Sequence, residues 1–477
     1  MLIFLLTHAP LVQAQTGALT TSPVIGGGAT LSLPTAQLPD SNPFLGGVPH
    51  GEATGAPLPL TLKDALDRGL KNNLGVLLQE DSVTAARGER WASLEGLLPD
   101  VSARVGEARR QTSLAEFGFT SFPGINSTVV GPFNVFDTRI RASQPVVDMS
   151  AIYGARAGSA NLRAAKAEVH NARDLVVLVV ANLYLSTVAT ASRVEAVQAE
   201  LATADQQLTQ TSDLKEAGIA AGIDLLRAQL QQQTERQRLI ASQNDFAKAK
   251  LQLGRAIGLP AGQDVLLVDK MPYAPFDGIP AEEALKQAYA SRGDYLAASA
   301  QVEAAEAARK SAKATLLPSL GVDTEIGRVG TSASNTDLTY AIAASVHVPI
   351  FESGRAQARI LQRDAQLSQR KSALADLRAR IDVEVRSALL DLQAAAQALD
   401  AAKAGVDLAT QQLTQSRDRF GAGVAGSLEV QQSQEALARA NDVYISTLYA
   451  HNLAKASLAR AAGVAEERTQ QYLGGAR

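Results

Sequence analysis

The segment Gly421-Ala422-Gly423-Val424-Ala425-Gly426 fits the pattern G-x-G-x-x-G. In a dinucleotide site those glycines let the backbone approach a pyrophosphate, but that chemistry needs a strand before the motif and a βαβ unit around it. A heptad helix pattern precedes it here. A second glycine-rich stretch, Ala217-Gly218-Ile219-Ala220-Ala221-Gly222, occupies the corresponding place earlier in the chain. Both read as turns between antiparallel helices. The five histidines (8, 50, 170, 347, 451) are scattered without metal-ligand spacing. Cysteine is absent, which excludes disulfide scaffolds, thiolate zinc sites, cysteine nucleophiles and a lipid-modified N-terminal cysteine. No P-loop, G-x-S-x-G or H-E-x-x-H occurs. Most carboxylates fall on polar helix faces, where solvation is their ordinary role. The chain is therefore read as a non-enzyme without cofactor or metal.

With so little chemistry to position, the elements carry the information. The 477 residues include 45 Lys and Arg against 48 Asp and Glu, a net charge of −3. That balance, with no basic run, argues against nucleic-acid binding. Aromatic residues are 4% of the chain, so packing must come from Ala, Leu and Val, as in long helices in close contact.

An internal repeat organises most of the length. Residues 64–101 and 283–320 align without a gap at an offset of 219. Asp64-Ala65-Leu66 corresponds to Glu283-Ala284-Leu285, and Leu97-Leu98-Pro99 to Leu316-Leu317-Pro318. Gln206-Gln207-Leu208-Thr209-Gln210 recurs unchanged as Gln411-Gln412-Leu413-Thr414-Gln415. Leu253-Gly254-Arg255-Ala256-Ile257-Gly258 echoes Leu458-Ala459-Arg460-Ala461-Ala462-Gly463. One unit is written twice, with an insertion near 114–133 in the first copy.

Each copy reads as helix, hairpin, very long helix, turn, helix. The first repeat is placed at 58–258, with a helix over about 62–97, a β-hairpin over 101–146, a long helix over 148–216 and a helix over 224–257. A linker, 259–279, follows. The second repeat, 280–463, has a helix, a hairpin over 319–350, a long helix over 352–420 and a helix over 428–462; 464–477 is a C-terminal tail. In the hairpins, Phe136, Thr138, Ile140 and Ala142 alternate with Asp137, Arg139, Arg141 and Ser143. This period of two marks strands with one apolar and one polar face. A half-buried hairpin on a soluble domain and a membrane barrel with lipid outside and water inside both fit; strand length and polar-face charges favour the barrel. In the long helices, Val385, Ala388, Leu392, Ala395, Leu399, Ala402, Val406, Ala409 and Leu413 are spaced 3-4-3-4, a heptad seam. A helix over 148–216 spans about 100 Å at 1.5 Å per residue. The uncharged run 175–192 has the length of a membrane helix, but Asn182, Ser186, Thr187 and Thr190 interrupt it and its repeat equivalent is charged.

Residues 2–6 are apolar, and Val12-Gln13-Ala14 resembles a signal-peptide cleavage site. Residues 1–14 are read as a signal peptide; the missing basic n-region points to a truncated start. Residues 15–57, rich in Gly, Pro, Ser and Thr, are read as disordered or extended.

This combination resembles the TolC-like outer-membrane efflux protein family over about residues 60–463. The specific motifs are the doubled tips, Phe420-Gly421-Ala422-Gly423-Val424-Ala425-Gly426-Ser427-Leu428-Glu429-Val430 and Gly218-Ile219-Ala220-Ala221-Gly222-Ile223-Asp224-Leu225. With them stands the strand-to-helix junction Val348-Pro349-Ile350-Phe351-Glu352-Ser353-Gly354-Arg355. The resemblance implies a mainly α, α+β fold. Three chains form a twelve-stranded outer-membrane β-barrel, continued by a periplasmic α-helical tunnel. It implies the outer-membrane conduit of a tripartite efflux or type I secretion system, a homotrimer partnered by a periplasmic adaptor and an inner-membrane transporter. Segments 114–133 and 331–337 become the extracellular loops. The tips, with Gly218, Ile219, Ala220, Gly222, Gly423, Val424, Gly426 and Ser427, become the adaptor-docking end. Pro145, Pro349 and Gly354 become the barrel-to-helix junctions.

The resemblance also places a periplasmic constriction. Asp224 and Glu429 fall on acidic positions of that gate, while a second acidic position falls on Gln432. The family's latching tyrosine and arginine fall on Phe420 and Ala425, whose side chains lack the required polar groups. Both carboxylates also sit where a helix N-terminus favours negative charge. The competing reading is a soluble periplasmic coiled-coil scaffold, which would not fractionate with outer membranes.

Overall fold

The computed structural model describes residues 42–118, 128–218, 220–275, 279–351 and 354–473. The signal-like residues 1–14 and the stretch 15–41 lie outside them. In chain order, Leu58–Leu60 (β1) leads into Leu62–Asn72 (α1) and Leu74–Leu94 (α2). Asp100–Ser113 (β2) and Val129–Val147 (β3) follow, then Met149–Glu216 (α3, 68 residues) and Gly222–Ala256 (α4). Val265–Leu267 (β4) connects the copies. The second comprises Ala281–Ser291 (α5), Gly293–Ala314 (α6), Ser319–Ser332 (β5), Asn335–His347 (β6), Arg355–Gly421 (α7, 67 residues) and Ser427–Ala461 (α8), with Ala465–Tyr472 (α9) last.

The first helix of each copy is broken, contrary to the single helix read over about 62–97. Asn73 is extended (φ −67°, ψ 129°) and restarts the chain as the cap of α2, its Oδ1 accepting from Gly75 N at 2.9 Å. Its Nδ2 donates to the carbonyls of Phe44 and Ala256. The second break is at Arg292 (φ −62°, ψ 121°). The two positions are related by the repeat offset, 292 − 73 = 219. Tertiary partners create both breaks, so helical periodicity runs through them unmarked.

Three further readings need correction. Of the linker 259–279, the described residues 259–275 pack along the core. Its β4 pairs in parallel with β1, Leu259 and Val265 are buried, and Asp269 accepts from the buried Tyr184 hydroxyl at 2.9 Å. Asn452 Nδ2 holds the Pro272 carbonyl at 2.7 Å, and Lys455 Nζ holds that of Ala274. The tail from 464 holds α9, whose first turn is capped by Asp174 from α3 (Glu466 N to Oδ1, 3.1 Å), and Ala465 and Leu473 are buried. Of the segment read as disordered or extended, residues 42–57 lie against the fold: Val48 N donates to Asn72 O at 2.8 Å and His50 N to Gly258 O at 3.1 Å.

The uncharged run in α3 is core. Val176, Val177, Val180 and Tyr184 pack with Leu60, Val76, Leu253 and Ile257. A second cluster joins α5, α7 and α8 through Leu285, Ile381, Val385 and Leu458. Among the described residues, two heptad stripes are left uncovered. On α4, Ile223, Leu226, Leu230, Ile240 and Leu251 are 53–72% exposed; on α7, Val383, Leu390 and Leu408 are 63–67% exposed.

The larger sheet is antiparallel throughout, in the order β2-β3-β5-β6. Residues directly opposed across strands share a face. Ala103, Ile140, Ile326 and Tyr340 form one such row. On this face Ile140, Ile326, Tyr340, Ile342 and Val346 are 47–75% exposed. On the other face Arg139 and Arg141 both pair with Glu325, and Arg139 also with Asp137. Among the described residues, β2 and β6 bond a neighbour on one side only.

Candidate functional site

The long helices end alike. Gly218 follows α3 and Gly423 follows α7, each at φ +72°, a left-handed conformation that glycine adopts without strain. At the second tip Gly423 N donates to Phe420 O and Val424 N to Arg419 O, both at 3.0 Å, the paired bonds of a Schellman ending. At the first, Gly218 N donates to Lys215 O at 2.9 Å. A Cβ on either glycine would meet no atom within 4 Å, so backbone conformation, not crowding, requires glycine. Ile219 lies outside the described residues.

After each turn a carboxylate stands in the first turn of the next helix, Asp224 in α4 and Glu429 in α8, where the helix dipole favours negative charge. Each also has a partner. Arg419 Nε lies 3.4 Å from Glu429 Oε1. Ser427 Oγ donates to Asp224 Oδ1 at 2.6 Å, and Arg227 lies 3.5 Å from the same oxygen. The Ser427 bond joins the two copies at their tips. One turn further along α8 and two along α4, Gln431 Nε2 donates to Gln231 Oε1 at 3.1 Å. Asp224 and Glu429 are both partly exposed, Gln432 is exposed, and Phe420 and Ala425 are partly buried. Gly218, Gly222, Gly423, Val424 and Gly426 are exposed, whereas Ala220 and Ser427 are partly covered.

Sequence reasoning missed Arg419, Ser427 as a tie to Asp224, and a buried hydroxyl pair, Ser416 and Ser433, 2.7 Å apart between α7 and α8. Ser433 also donates to Glu429 O at 2.9 Å. A signal existed for Ser416: it stands three residues beyond Leu413 on the heptad seam, a polar residue in a core position. Nothing local marks Ser427 and Asp224 as partners, since 203 residues separate them.

At the junctions, Pro145 sits at a register shift between β3 and β5, where its missing N–H costs no ladder bond. Asp148 then caps α3 through Ser150 N and Ala151 N. In the second copy Pro349 follows β6, and Gly354, at φ +77°, precedes α7; Glu352 and Ser353 lie outside the described residues. Among the described residues no three His, Asp or Glu gather to hold a metal ion. The tip carboxylates can accept hydrogen bonds and attract cations, but among the described residues no paired base and nucleophile accompanies them.

Comparison with known proteins agrees with this geometry. The model of the outer membrane efflux protein family matches residues 65–259 and 284–464, one match per repeat. The pyoverdine export outer membrane protein OpmQ of Pseudomonas aeruginosa is 24% identical over 438 residues, 88% of each chain. The Campylobacter jejuni CmeC outer membrane channel superposes with a TM-score of 0.73 at 15% identity, covering 92% of this chain and 98% of that one. The open state of the Neisseria gonorrhoeae MtrE outer membrane channel gives 0.72 at 19% identity, covering 85% and 90%. The superpositions show a shared fold, and the family model's match to both copies of the duplicated hairpin-and-long-helix unit means that the chain belongs to the outer membrane efflux protein family.

Proposed function

We propose that three copies of the chain close a twelve-stranded barrel in the outer membrane. Helices α3, α4, α7 and α8 continue it as a periplasmic tunnel, whose tips dock a periplasmic adaptor linked to an inner-membrane transporter. The observation that carries this is the open-edged sheet with an exposed apolar face. Unpaired strand edges are not tolerated in hydrocarbon, so four strands need neighbouring copies to close. The uncovered stripes on α4 and α7 support the same arrangement: one copy's α4 against the next copy's α7 makes a heterologous contact that closes into a ring. Cargo moves passively, driven by the transporter. OpmQ's pyoverdine export makes pyoverdine the first cargo to assay.

Purified in detergent, the chain is expected to be a trimer that conducts in planar bilayers. A monodisperse folded monomer would sink the barrel. If Glu429 lines the constriction, Glu429→Gln leaves three Arg419 side chains uncompensated, and selectivity moves from cations toward anions. The change shrinks at high salt, since screening acts over about 10 Å at 0.1 M. Equal selectivity in wild type and Glu429→Gln would remove Glu429 from the pore.

The bond from Ser427 to Asp224 supports a role as restraint between the two copies where Phe420 and Ala425 offer no polar latch. A hydrogen bond to a charged acceptor contributes about 1.5–3 kcal/mol when sheltered, and exposure reduces this. Ser427→Ala and Asp224→Asn should each raise the open fraction of single channels several-fold. Unchanged gating in both would place the restraint elsewhere.

A further inference from the structure

About 24 Å before the end of α3, at 1.5 Å per residue, three helices meet in a cluster of charges. Arg238 of α4 reaches Glu200 of α3 at 3.1 Å, Glu235 of its own helix at 2.9 Å and Asp442 of α8 at 3.5 Å. Arg193 of α3 reaches Asp442 from the other side at 3.1 Å. Three carboxylates thus face two guanidinium groups, one negative charge in excess when all are ionised. The side chains of Glu200 and Glu235 are 17% and 7% exposed. They border a cavity of about 140 Å³ with Ala196, Ala199, Leu413 and Leu437 in its wall. The contribution of α7 to that wall is the apolar Leu413, so no counter-ion comes from that helix.

We infer that this cluster is an acid-strengthened clasp: Glu200 takes up one proton, the excess charge disappears, and α8 is held more firmly against α3 and α4. The proton sits on the Glu200 oxygen turned from Arg238, and the other oxygen still accepts from the guanidinium. Burial pushes the Glu200 carboxyl up to about 7; Arg238 opposes the rise, and Glu235 and Asp442 add to it. The ordinary value is 4.5. The folded protein therefore binds this proton more tightly than the unfolded chain does. The stabilisation is fully present below about 4.5 and is lost as pH rises through about 7. Because α8 belongs to the second copy and α3 and α4 to the first, the clasp sets how readily the two hairpins part. Only its link to channel opening rests on the conduit reading.

The test uses the full-length protein, as wild type, Glu200→Gln and Asp442→Asn, with exposed Glu195→Gln as control. Thermal midpoints are measured at about pH 5.5 and about pH 8, and single-channel open fractions at the same values. The wild-type midpoint should fall by several degrees at the higher pH and its open fraction rise several-fold. Glu195→Gln should behave as wild type. Glu200→Gln, fixed in a neutral form, should lose most of both responses. Asp442→Asn, which removes the excess charge another way, should move the transition to lower pH. A wild-type midpoint that is flat or rises with pH, or a Glu200→Gln response equal to that of wild type, overturns the clasp. The midpoint arm stands without conduction; a protein that conducts at no pH counts against the conduit alone.

Discussion

Replacing Arg292 with methionine will destabilise the second copy by about 3–5 kcal/mol, the cost of breaking a buried ion pair from one side. Arg292 is 2% exposed. Its Nη2 lies 2.7 Å from Asp294 Oδ2, and its Nη1 lies 2.6 Å from Glu384 Oε2 and 3.3 Å from the Ala461 carbonyl. One side chain thereby ties the α5–α6 break to α7 and to the end of α8. Packing around it is close, since a Cβ on Gly463 would lie 2.6 Å from Arg292 N. Methionine fills part of the volume but leaves Asp294 and Glu384 without this cation. Asp294, the more sheltered of the two, bears most of the cost. Thermal denaturation and protease sensitivity of the assembled protein report it. The double variant Arg292→Met with Asp294→Leu should recover much of the loss, because the stranded charge goes with its partner. Equal loss in the single and double variants would show that the guanidinium's packing, not its charge, holds the break.

On the proposed docking of the tips, adaptor-dependent export is expected to fall at least tenfold, about 1.4 kcal/mol of docking energy, when tryptophan is placed at the second tip. Small residues at Gly218, Ala220, Gly423 and Ala425 permit close helix approach, and indoles there would hold a partner away. Gly423 is a compound test, because its φ of +72° strains any side chain by about 1–2 kcal/mol. Gly423→Ala carries the strain with little bulk, since its Cβ meets nothing within 4 Å. Ala425→Trp carries the bulk without the left-handed backbone. Both tryptophan variants should lose export and co-purification with the adaptor, while Gly423→Ala keeps them; all three should still assemble and insert. Export lost equally in Gly423→Ala would make tip backbone shape the recognised feature. Export intact in both tryptophan variants would move docking away from this tip.

The candidate site divides along the same physical line as the fold. Gly218 and Gly423 were legible because a helix stop is a local event, written in the few residues that reverse the chain. The carboxylates Asp224 and Glu429 were legible by resemblance and by their place just after those turns. Their partners were not. Glu429 meets Arg419 across its own hairpin, and Asp224 meets Ser427 across the repeat boundary. These contacts depend on how helices rotate about one another, which no short window of sequence records. The charge cluster at Arg238 draws on three helices for the same reason.

By itself the sequence determined the periodic features. A spacing of two specified the strands, a 3-4 spacing specified the long helices, and two copies of each specified the duplication, because side-chain period follows directly from backbone geometry. Only the tertiary structure decided where those periods are interrupted and what covers the pieces between them. Asn73 breaks a helix because it bonds Ala256, 183 residues away. Residues 259–275 and 464–473 dock on the core, burying Leu259, Val265, Ala465 and Leu473, because β1, Tyr184 and Asp174 await them. Such contacts are selected by burial and hydrogen bonding among groups distant in the chain, and their free energy exists only once the long helices lie side by side.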